Sequence, residues 1–369
     1  MQSKFKVLHI INNLGQGGAE RQLLELLEKN KTHEVCQLLT AGYYDDYLSS
    51  RGTKIYSLNM KRKVPDIRAF YKLKRIISIS KPQIIHCWMY HSCLLEILLR
   101  KISKNKNISL VWGLRCSNMD LKYYSFQLNF IIKACKYFSN SPNMIINNSF
   151  EGKKVHDKLG FNKKSIVIPN GINIKKFSPN NKNRKIFRKR FDISNKTKVL
   201  LCVARLDPMK DHTTLLSAFN KIKLLYSDVV LILAGLGTEK FINEKKVIAL
   251  GAYENIDQVY SASDIIISSS AFGEGFSNAL GEGMASGLIP ISTNVGDARK
   301  IIGSTGEVIS VMNKDELYRA IIKVITYKNK KLLLKKEEAR SRIIEKYSKE
   351  KMILSYKNIY NAVLRDKRQ

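Results

Sequence analysis

Two glutamates lie close together in a glycine-rich stretch, A-F-G-E-G-F-S-N-A-L-G-E-G-M-A-S-G, at 271–287. Glu274 precedes a glycine where the chain is still turning, and Glu282 falls inside a helix that the apolar pattern predicts over Asn278–Ser286. Ionised carboxylates accept hydrogen bonds from hydroxyl groups, so this pair is suited to a ligand that carries a polyol.

The backbone between the two glutamates adds a site for an anion. The N–H groups of Phe276, Ser277 and Asn278 stand around the predicted helix start, where the helix itself offers them no acceptor. Such N–H groups and the positive end of the helix dipole attract phosphate. A ligand that is half diphosphate and half polyol, such as a nucleotide sugar, satisfies both parts of this site.

Two cations follow the first predicted strand of the second half, in V-A-R-L-D-P-M-K-D. Arg205 and Lys210 stand five positions apart on a loop at the carboxyl end of that strand. A guanidinium binds a diphosphate as a fork and an ammonium binds it as a point charge, so the pair can clamp a diphosphate. In a chain this basic, the alternative is a pair of surface cations.

Three glycines lie between the first predicted strand and the first predicted helix, in N-N-L-G-Q-G-G-A-E at 12–20. Glycine lets the backbone approach a ligand closely, but the spacing departs from G-x-G-x-x-G, and no acid follows a second strand to hold a ribose. Gly17 and Gly18 therefore have two interpretations. They form a tight strand–helix turn, or they join the donor-binding residues in a loop that faces a phosphate or an acceptor.

Polar and aromatic residues cluster at the ends of two strands of the first half, in I-I-H-C-W-M-Y-H-S and V-W-G-L-R-C-S. If His86, Trp88 and Arg115 face a cleft, they can orient a sugar or bind the phosphates of an acceptor. The alternative for His86 is a core histidine that is satisfied by a backbone carbonyl.

Strand-like and helix-like segments alternate along the chain, which is typical of doubly wound parallel sheets. The predicted strands are Lys6–Asn12, Glu34–Leu39, Ile84–Trp88, Ser109–Gly113, Met144–Asn147, Ser165–Ile168, Val199–Ala204, Val229–Ala234, Val247–Leu250, Ile265–Ser268, Ile289–Thr293 and Val308–Ser310. The predicted helices are Gly18–Asn30, Ile67–Ile79, Cys93–Lys101, Tyr123–Phe138, Glu151–Leu159, Thr213–Leu225, Asn278–Ser286 and Asp315–Tyr327, with a charged helical segment at Lys330–Asp366.

A polar stretch rich in Lys and Asn, Ser178–Lys185, interrupts this alternation and is interpreted as a linker. The fold class is therefore α/β, with two Rossmann-like, doubly wound domains in tandem. We expect an N-terminal domain at 1–175, a ligand-binding domain at 176–345, and a C-terminal helix at 346–369 that crosses back to the first domain. Ligands of such sheets bind beyond the carboxyl ends of the strands, so the expected site is the cleft between the two sheets.

The 369 residues carry a formal net charge of +33. The charge is spread along the chain rather than concentrated in a tail, which weakens the interpretation as a nucleic-acid-binding protein. Contact with anionic lipid headgroups fits it, at about 1 kcal/mol per well-placed cation, and a general abundance of Lys, Asn and Ile contributes too. No C-x-x-C pair, signal peptide or membrane-spanning apolar run is evident, so we expect a cytoplasmic protein with reduced cysteines.

Two segments combine cations or aromatics with apolar residues. Lys61–Arg75 reads K-R-K-V-P-D-I-R-A-F-Y-K-L-K-R, and Tyr123–Phe138 is rich in aromatic residues. A basic amphipathic helix can lie on an anionic membrane. The alternative is a helix that covers a sheet and leaves its charged face in solvent.

Taken with their order, these motifs resemble family 4 of the retaining glycosyltransferases, whose fold is termed GT-B. The family's E-x7-E motif corresponds to Glu274 and Glu282, and its R-x4-K pair corresponds to Arg205 and Lys210. The other matching motifs are P-N-G-I at 169–172, G-G-A-E at 17–20 and V-G-D-x-x-x-I-I-G-x-T-G at 295–306. Where the family usually has alanine after the second acid this chain has Gly283, a change between small residues that is expected to matter little.

The resemblance implies a role for each donor-side residue. Arg205 and Lys210 would neutralise the departing diphosphate, Glu282 would hold the ribose hydroxyls, and Glu274 would hold hydroxyls of the transferred sugar. The backbone at 276–278 would touch the phosphate or the sugar, and Ile256 would contact the base. The family uses no bound metal, and no D-x-D motif stands at a predicted strand end, so no cofactor is expected beside the nucleotide sugar.

The resemblance also implies the acceptor. Many relatives carry a histidine where this chain places Arg115, and an arginine there suggests an anionic acceptor. Similar bacterial enzymes build surface polysaccharide, such as O-antigen or capsule, on a lipid carrier. We therefore expect UDP-sugar as donor, a sugar linked to undecaprenyl diphosphate as acceptor, peripheral contact with the inner face of the plasma membrane, and no nucleic-acid partner. Two alternatives stay open: a basic nucleic-acid-binding protein, and a sugar-nucleotide epimerase of the same shape.

Overall fold

The computed structural model describes residues 5–28, 30–61, 66–103, 107–117, 126–162 and 164–366. The chain divides into two compact units. The first unit consists of Met1–Gly171 with Glu350–Gln369, and the second consists of Ile172–Lys349. Each contains one parallel sheet flanked by helices, which confirms the predicted α/β class.

The sheet of the first unit has seven strands in its described part, in the order β3-β2-β1-β4-β5-β6-β7. They are β1 Val7–Ile11, β2 His33–Gln37, β3 Ile55–Ser57, β4 Ile84–Trp88, β5 Ser109–Leu114, β6 Met144–Asn147 and β7 Ser165–Val167. The chain proceeds from β1 toward one edge and then from β4 toward the other. The topological switch point, where such sheets bind ligands, therefore lies between β1 and β4.

In the described part of this unit, six helices connect the strands: α1 Gly18–Leu27, α2 Asp45–Ser49, α3 Arg68–Ser80, α4 Met89–Ser103, α5 Phe126–Tyr137 and α6 Phe150–Leu159. Helix α6 shows how local sequence sets such limits. Ser149 Oγ accepts from the N–H of Gly152 at the start, and Gly160 ends the helix at φ +85°. The part of Tyr123–Phe138 that precedes Phe126 lies outside the described residues.

The sheet of the second unit has six strands among the residues described, in the order β10-β9-β8-β11-β12-β13. They are β8 Lys198–Val203, β9 Val229–Ala234, β10 Val247–Ala249, β11 Ile265–Ser268, β12 Ile289–Thr293 and β13 Glu307–Ile309. Successive residues of the central strands pack alternately into a core on either face, as two covered faces require. The switch point lies between β8 and β11.

The helices of the second unit are α7 Asn181–Arg190, α8 His212–Leu225, α9 Ile256–Ala262, α10 Asn278–Ala285, α11 Ala298–Ile302, α12 Lys314–Ile325 and α13 Asn329–Tyr347. A short 3₁₀ turn, Pro208–Lys210, precedes α8. It carries the lysine that the sequence singles out, and Asp207 caps it by accepting from the N–H of Met209 at 2.9 Å.

The last helix, α14 Lys349–Arg365, belongs almost entirely to the first unit. Met352, Tyr356, Tyr360 and Val363 recur at helical spacing and are buried in the same core as β1 and β4. The end of the chain therefore covers one face of the first sheet.

The prediction that Ser178–Lys185 is a linker is wrong, because helix α7 begins at Asn181 and includes most of that stretch. Asn180 caps the helix by accepting from the N–H of Asn183 at 3.0 Å, and Phe187 and Arg188 supply its buried face. The short elements β3, α2, α9 and α11 were not predicted, because three to seven residues carry too little periodicity.

Candidate active site

The loops that follow β8 and β11 meet at the carboxyl edge of the second sheet, next to the switch point. The N–H of Ala271 donates to the carbonyl of Met209 at 2.8 Å. The Ser269 hydroxyl donates to the carbonyl of Lys210 at 2.8 Å, and the Thr293 hydroxyl at the end of β12 donates to that of Ser270 at 2.6 Å. Neighbouring strands thus hold the two sequence motifs, 205–210 and 271–287, against each other.

A glycine after β12 fixes the backbone around the first glutamate. Gly296 has φ +58°, and a Cβ there would collide with the carbonyl oxygens of Glu274 and Gly275. The N–H of Asp297 also donates to the carbonyl of Gly275 at 2.9 Å. The V-G-D motif therefore positions the Glu274 loop, a role that the sequence did not reveal.

Lys210 and Glu274 form a direct ion pair. The ammonium of Lys210 contacts Glu274 Oε1, and the two side chains are only 18% and 13% exposed. The Ser270 hydroxyl donates to the same carboxylate oxygen at 3.0 Å. Burial alone would raise the pKa of Glu274, but Lys210 and these hydrogen bonds lower it, so the carboxylate is ionised at neutral pH.

Arg205 lies beside this pair and is much more open. Its side chain is 56% exposed, and Nε and Nη2 donate to Asp207 Oδ2 at 3.1 and 2.9 Å. Its charge also contributes to lowering the pKa of Glu274. The structure therefore brings Arg205, Lys210 and Glu274 together. Lys210 is largely buried and pairs with Glu274, whereas Arg205 is more than half exposed and pairs with Asp207.

Glu282 lies deeper in the second unit. It is buried on α10, where Glu282 Oε2 accepts from the hydroxyl of Tyr260 at 3.0 Å. Tyr260 comes from α9, which also begins with the half-buried Ile256. Helix α9 thus links Ile256, which is predicted to contact a base, to Glu282, which is predicted to hold a ribose.

The helix start between the two glutamates has a more specific form than the sequence suggested. Ser277 is the N-cap of α10 and accepts from the N–H of Leu280, while Asn278 is the first helical residue. The ring of Phe276 is buried against Tyr347, with ring centroids 5.2 Å apart. Phe276 can therefore offer a ligand its backbone but not its ring.

Gly283 corrects one expectation. A Cβ at this position would lie 2.7–2.8 Å from the Cβ, Cγ1 and Cγ2 atoms of Ile266 on β11. Alanine therefore does not fit without movement of helix or strand, because those atoms lie close to the backbone of Ile266. The difference between glycine and alanine matters here, contrary to the expectation from residue size.

In the first unit, Gly17 and Gly18 mark the start of α1, after β1 and at the carboxyl edge of that sheet. Gly17 is the extended N-cap residue, and a Cβ there would collide with the carboxylate of Glu20. Gly18 is exposed. A tight strand–helix turn is thus present, and a role of these glycines in ligand binding stays a prediction.

For His86 the structure favours the core alternative over a position that faces a cleft, because the side chains of His86 and Trp88 are both completely buried. Tyr356 and Tyr360 of α14 cover them, and His86 Nδ1 is 2.7 Å from the Tyr360 hydroxyl rather than bonded to a backbone carbonyl. The sequence could not reveal this, since α14 lies more than 270 residues further on.

His86 belongs to a buried trio of histidines. Trp88 Nε1 donates to His9 Nδ1 at 3.1 Å, so the proton of neutral His9 resides on Nε2, which lies 3.0 Å from His33 Nδ1. Burial lowers the pKa of His9 and His86 well below the usual value and that of His33 to about 4. All three are neutral at physiological pH and belong to the core.

Arg115 is half-buried just after β5 and is held by side chains from distant segments. Its guanidinium carbon lies 4.7 Å above the ring of Trp88. Nη1 donates to the Tyr356 hydroxyl at 3.1 Å, and Nη2 donates to Asn170 Oδ1. Trp88 thus supports the one residue of the predicted acceptor-side group that is not fully buried.

Two general observations bear on ligands. Within the described ranges, no three His, Cys, Asp or Glu side chains are grouped as a metal site would require. In the same ranges, no helix is long and apolar enough to cross a bilayer.

The class of protein follows from the fold together with two family matches. The sequence matches the family described as Glycosyltransferase Family 4 over residues 16–176 and the family described as Glycosyl transferases group 1 over residues 183–358. The chain is therefore a member of the GT-B glycosyltransferases, with a Family 4 domain followed by a group 1 domain.

Two bacterial enzymes are similar in sequence. The N-acetyl-alpha-D-glucosaminyl L-malate synthase of Bacillus anthracis is 30% identical over 191 residues, which cover 48% of this chain and only about half, 49%, of that enzyme. The N-acetylgalactosamine-N,N'-diacetylbacillosaminyl-diphospho-undecaprenol 4-alpha-N-acetylgalactosaminyltransferase of Campylobacter jejuni is 23% identical over 371 residues, covering 87% of this chain and 92% of that one.

Solved structures agree on the fold. Anabaena HepE, crystallised with UDP, superposes with a TM-score of 0.83 at 17% identity and covers 97% of this chain and 100% of that one. WaaG, a glycosyltransferase of lipopolysaccharide biosynthesis, superposes with a TM-score of 0.73 at 13% identity, covering 96% and 99%. At these identities the likeness establishes the GT-B fold.

Proposed function

We propose that this protein is a retaining glycosyltransferase that moves a hexose or N-acetylhexosamine from a UDP-sugar to a saccharide linked to a lipid diphosphate. The observation that carries the proposal is the group formed by Arg205, Lys210 and Glu274 at the switch point of the second sheet. It offers a leaving diphosphate two positive charges and offers a sugar an ionised carboxylate.

The donor binds to the second unit in this proposal. Arg205 and Lys210 bind the diphosphate, Glu274 accepts from hydroxyls of the transferred sugar, and Glu282 accepts from the ribose hydroxyls. Backbone N–H groups at 276–278 approach the phosphate or the sugar, and Ile256 contacts the base. Gly17 and Gly18 of the first unit stay candidates for donor binding. Crystals of the similarly folded HepE contain UDP and UDP-glucose, which supports a uridine nucleotide.

The reaction we propose needs no protein nucleophile. The acceptor hydroxyl attacks the anomeric carbon on the side that the diphosphate leaves, so the bond from that carbon to the phosphate oxygen breaks as the new glycosidic bond forms. The electron pair of the broken bond goes to the diphosphate, and the hydroxyl proton is transferred to a departing phosphate oxygen. Arg205 and Lys210 stabilise the negative charge that develops there.

The acceptor binds to the first unit, with Arg115 facing its diphosphate. A bidentate guanidinium suits a phosphate better than a neutral hydroxyl. The Campylobacter relative, by its name, extends a sugar on diphospho-undecaprenol. An acceptor of this class in O-antigen, capsule or related glycan assembly, used at the cytoplasmic face of the membrane, is consistent with both.

A peripheral membrane contact supports such an acceptor. Helix α5 exposes Phe126, Phe130, Lys133 and Tyr137 at helical spacing along one face, and the three rings are 67–86% exposed. Helix α3 packs its other face against the core and exposes Tyr71 with several cations, although residues 62–65 of Lys61–Arg75 lie outside the described residues. Aromatic rings beside lysines suit an anionic lipid interface.

The transfer itself is the decisive test. UDP-sugars and GDP-sugars would be offered with a prenyl-diphosphate-linked N-acetylhexosamine, and the anomeric configuration of the product would be read by NMR. We expect transfer from a UDP-sugar with retention, and UDP should raise the melting temperature. An inverted product would disprove the mechanism. Epimerised donor without transfer would favour the epimerase, and DNA binding without a response to UDP would favour the nucleic-acid-binding alternative.

The membrane contact has its own test. Flotation with vesicles that contain phosphatidylglycerol should recover the wild-type protein, and replacing Phe126 and Phe130 with serine should reduce recovery several-fold. Leu224→Ser is the matched control, because this leucine of the second unit is 82% exposed yet lies outside α5. Equal recovery of both variants would exclude α5 as the contact.

A further inference from the structure

The guanidinium of Arg115 is held by neutral groups from three segments. The hydroxyl of Tyr356 on α14 accepts from Nη1 at 3.1 Å, the amide oxygen of Asn170 accepts from Nη2, and the ring of Trp88 on β4 lies beneath it. Tyr356 and Trp88 also stack, with ring centroids 6.3 Å apart. A flexible side chain is thereby fixed at a defined position and angle.

Arg340 and Arg342 are also held by neutral oxygens, those of backbone carbonyls, whereas three other enclosed arginines pair with carboxylates. Arg184 and Arg188 both donate to the carboxylate of Asp264, and Arg100 donates to Glu96. Among the residues that the structure describes, no carboxylate lies within ion-pair distance of Arg115.

Among the described residues, a histidine and two tyrosines lie near Arg115. His86 on β4 and Tyr360 on α14 interact electrostatically with Arg115, and Tyr356 on α14 accepts a hydrogen bond from it. Burial keeps His86 and Tyr360 neutral, because it lowers the pKa of the histidine and raises that of the tyrosine. Within the part of the chain that the structure describes, the positive charge of Arg115 is therefore oriented but not neutralised.

We propose that Tyr356 and Asn170 are positioning residues that hold Arg115, stacked on Trp88, as a preformed receptor for the anionic group of the acceptor. The inference rests on the proposed function and assigns part of the acceptor site to α14, the last helix of the chain. A carboxylate in place of either neutral acceptor would fix the arginine equally well, but it would also use up the charge that attracts the ligand.

The first test compares two tyrosines on α14. Tyr356→Phe removes the hydroxyl that accepts from Arg115, so we expect the KM for a prenyl-diphosphate-linked N-acetylglucosamine to rise about tenfold, as loss of a hydrogen bond to a charged group implies. The kcat and the KM for the UDP-sugar should change less than about threefold. The matched control is Tyr360→Phe, which removes a buried hydroxyl one turn away that contacts His86 instead.

The second test uses a substitution that should preserve or raise stability and yet weaken acceptor binding. Asn170→Asp keeps the side-chain shape and gives Arg115 an ion-pair partner, so the melting temperature should stay the same or rise. The KM for the diphosphate-linked acceptor should nevertheless increase about tenfold or more, because the new carboxylate neutralises the receptor. The neutral octyl glycoside of the same sugar should show no such increase.

These outcomes separate the inference from the proposed function. If the wild-type protein transfers no sugar to any acceptor, the proposed function fails. If it transfers sugar while Tyr356→Phe and Asn170→Asp keep the wild-type KM for the diphosphate-linked acceptor, the positioning role is excluded. The same follows if Tyr360→Phe raises that KM as much as Tyr356→Phe, since the effect would then be general disturbance of α14.

Discussion

A carboxylate lies beyond each end of strand β11, and the two carboxylates are held in different ways. Asp264 stands just before the strand, at the amino edge of the second sheet. Glu274 follows it, at the carboxyl edge. Both are paired with cations from other segments, and both have a lowered pKa.

The amino-edge cluster is saturated. Arg184, Arg188 and Lys336 all reach Asp264 at 3.0–3.1 Å, and the N–H of Val199 donates to it at 3.1 Å. Both arginines also donate to carbonyls of residues 261–263 at the end of α9, where the helix dipole is negative. Helices α7, α9 and α13 and strands β8 and β11 are thereby tied together, and each arginine uses several of its donors.

The carboxyl-edge cluster is less enclosed. Lys210 and Ser270 bind Glu274, while Arg205 is more than half exposed and bonded to Asp207 at the surface. A ligand can compete with Asp207 for Arg205 at small cost, because exposed ion pairs contribute only about 0–1 kcal/mol. The two clusters are similar in composition but differ in purpose. At Asp264 the donors of the arginines are used within the protein, which marks a structural cluster, whereas at Glu274 Arg205 is open to a ligand, which marks a candidate site.

The largest effect is expected from Lys210→Ala. If Lys210 stabilises the leaving diphosphate, kcat should fall by about three orders of magnitude, equivalent to about 4 kcal/mol. The matched control is Lys336→Ala. It removes the α13 lysine that contacts Asp264 at the other end of β11, and it should leave kcat within about twofold. Steady-state kinetics with the UDP-sugar measure both, and wild-type turnover in Lys210→Ala would remove the residue from the mechanism.

The converse change, Asp264→Ala, should cost stability rather than catalysis. It leaves Arg188 buried without its counter-charge, so we expect a loss of about 3 kcal/mol from the unfolding free energy of the second unit. Because Asp264 has a lowered pKa, its contribution is present above the unfolded pKa and disappears as the pH falls through the folded pKa.

The two units can be followed separately in that experiment. Both tryptophans, Trp88 and Trp112, belong to the first unit, so tryptophan fluorescence reports its unfolding in urea. Amide hydrogen exchange in β8 and β11 reports on the second unit. Faster exchange there, with an unchanged fluorescence transition, is the expected result. Unchanged exchange would mean that the cluster at Asp264 is not a stabilising tie.

The contrast between the two edges was only partly predictable from the sequence. Strands such as Ile265–Ser268 and Val229–Ala234 were predicted with their observed limits, because continuous apolar runs between polar turns indicate fully buried strands. The motifs at 205–210 and 271–287 were also identified, since glycine, cations and acids at strand ends indicate ligand binding.

The contacts that give these motifs their meaning were not predictable in the same way. Lys210 and Glu274 are 64 residues apart, and Arg115 and Tyr356 are 241 apart. Local periodicity carries no information on such pairs. Nor does it show that Asn180 caps a helix within a stretch that reads as a linker, or that α14 covers His86. Tertiary packing decides these points.

A smaller effect is expected at the second glutamate. Glu282→Gln keeps the shape of the side chain but loses the charge that would accept from ribose hydroxyls, so UDP affinity should weaken about tenfold. Tyr260→Phe, which removes only the hydroxyl donor to Glu282, serves as the control for local packing. Calorimetric titration with UDP measures both, and equal affinities of Glu282→Gln and wild type would argue against the ribose contact.

The smallest effect concerns how closely α10 packs on β11, the strand that links the two edges. In Gly283→Ala the new methyl group would meet atoms of Ile266 next to its backbone, so helix and strand must separate, at about 1–2 kcal/mol after the better helix propensity of alanine is counted. Gly281→Ala is the matched control, because its methyl group would meet the end of the Ile172 side chain, which can move. Urea unfolding should therefore rank Gly283→Ala below Gly281→Ala, and UDP affinity should fall a few-fold only in the former, since Glu282 moves with the helix. If Gly283→Ala proves as stable as the wild type, the helix has room to adjust, and the glycine is not needed to position Glu282.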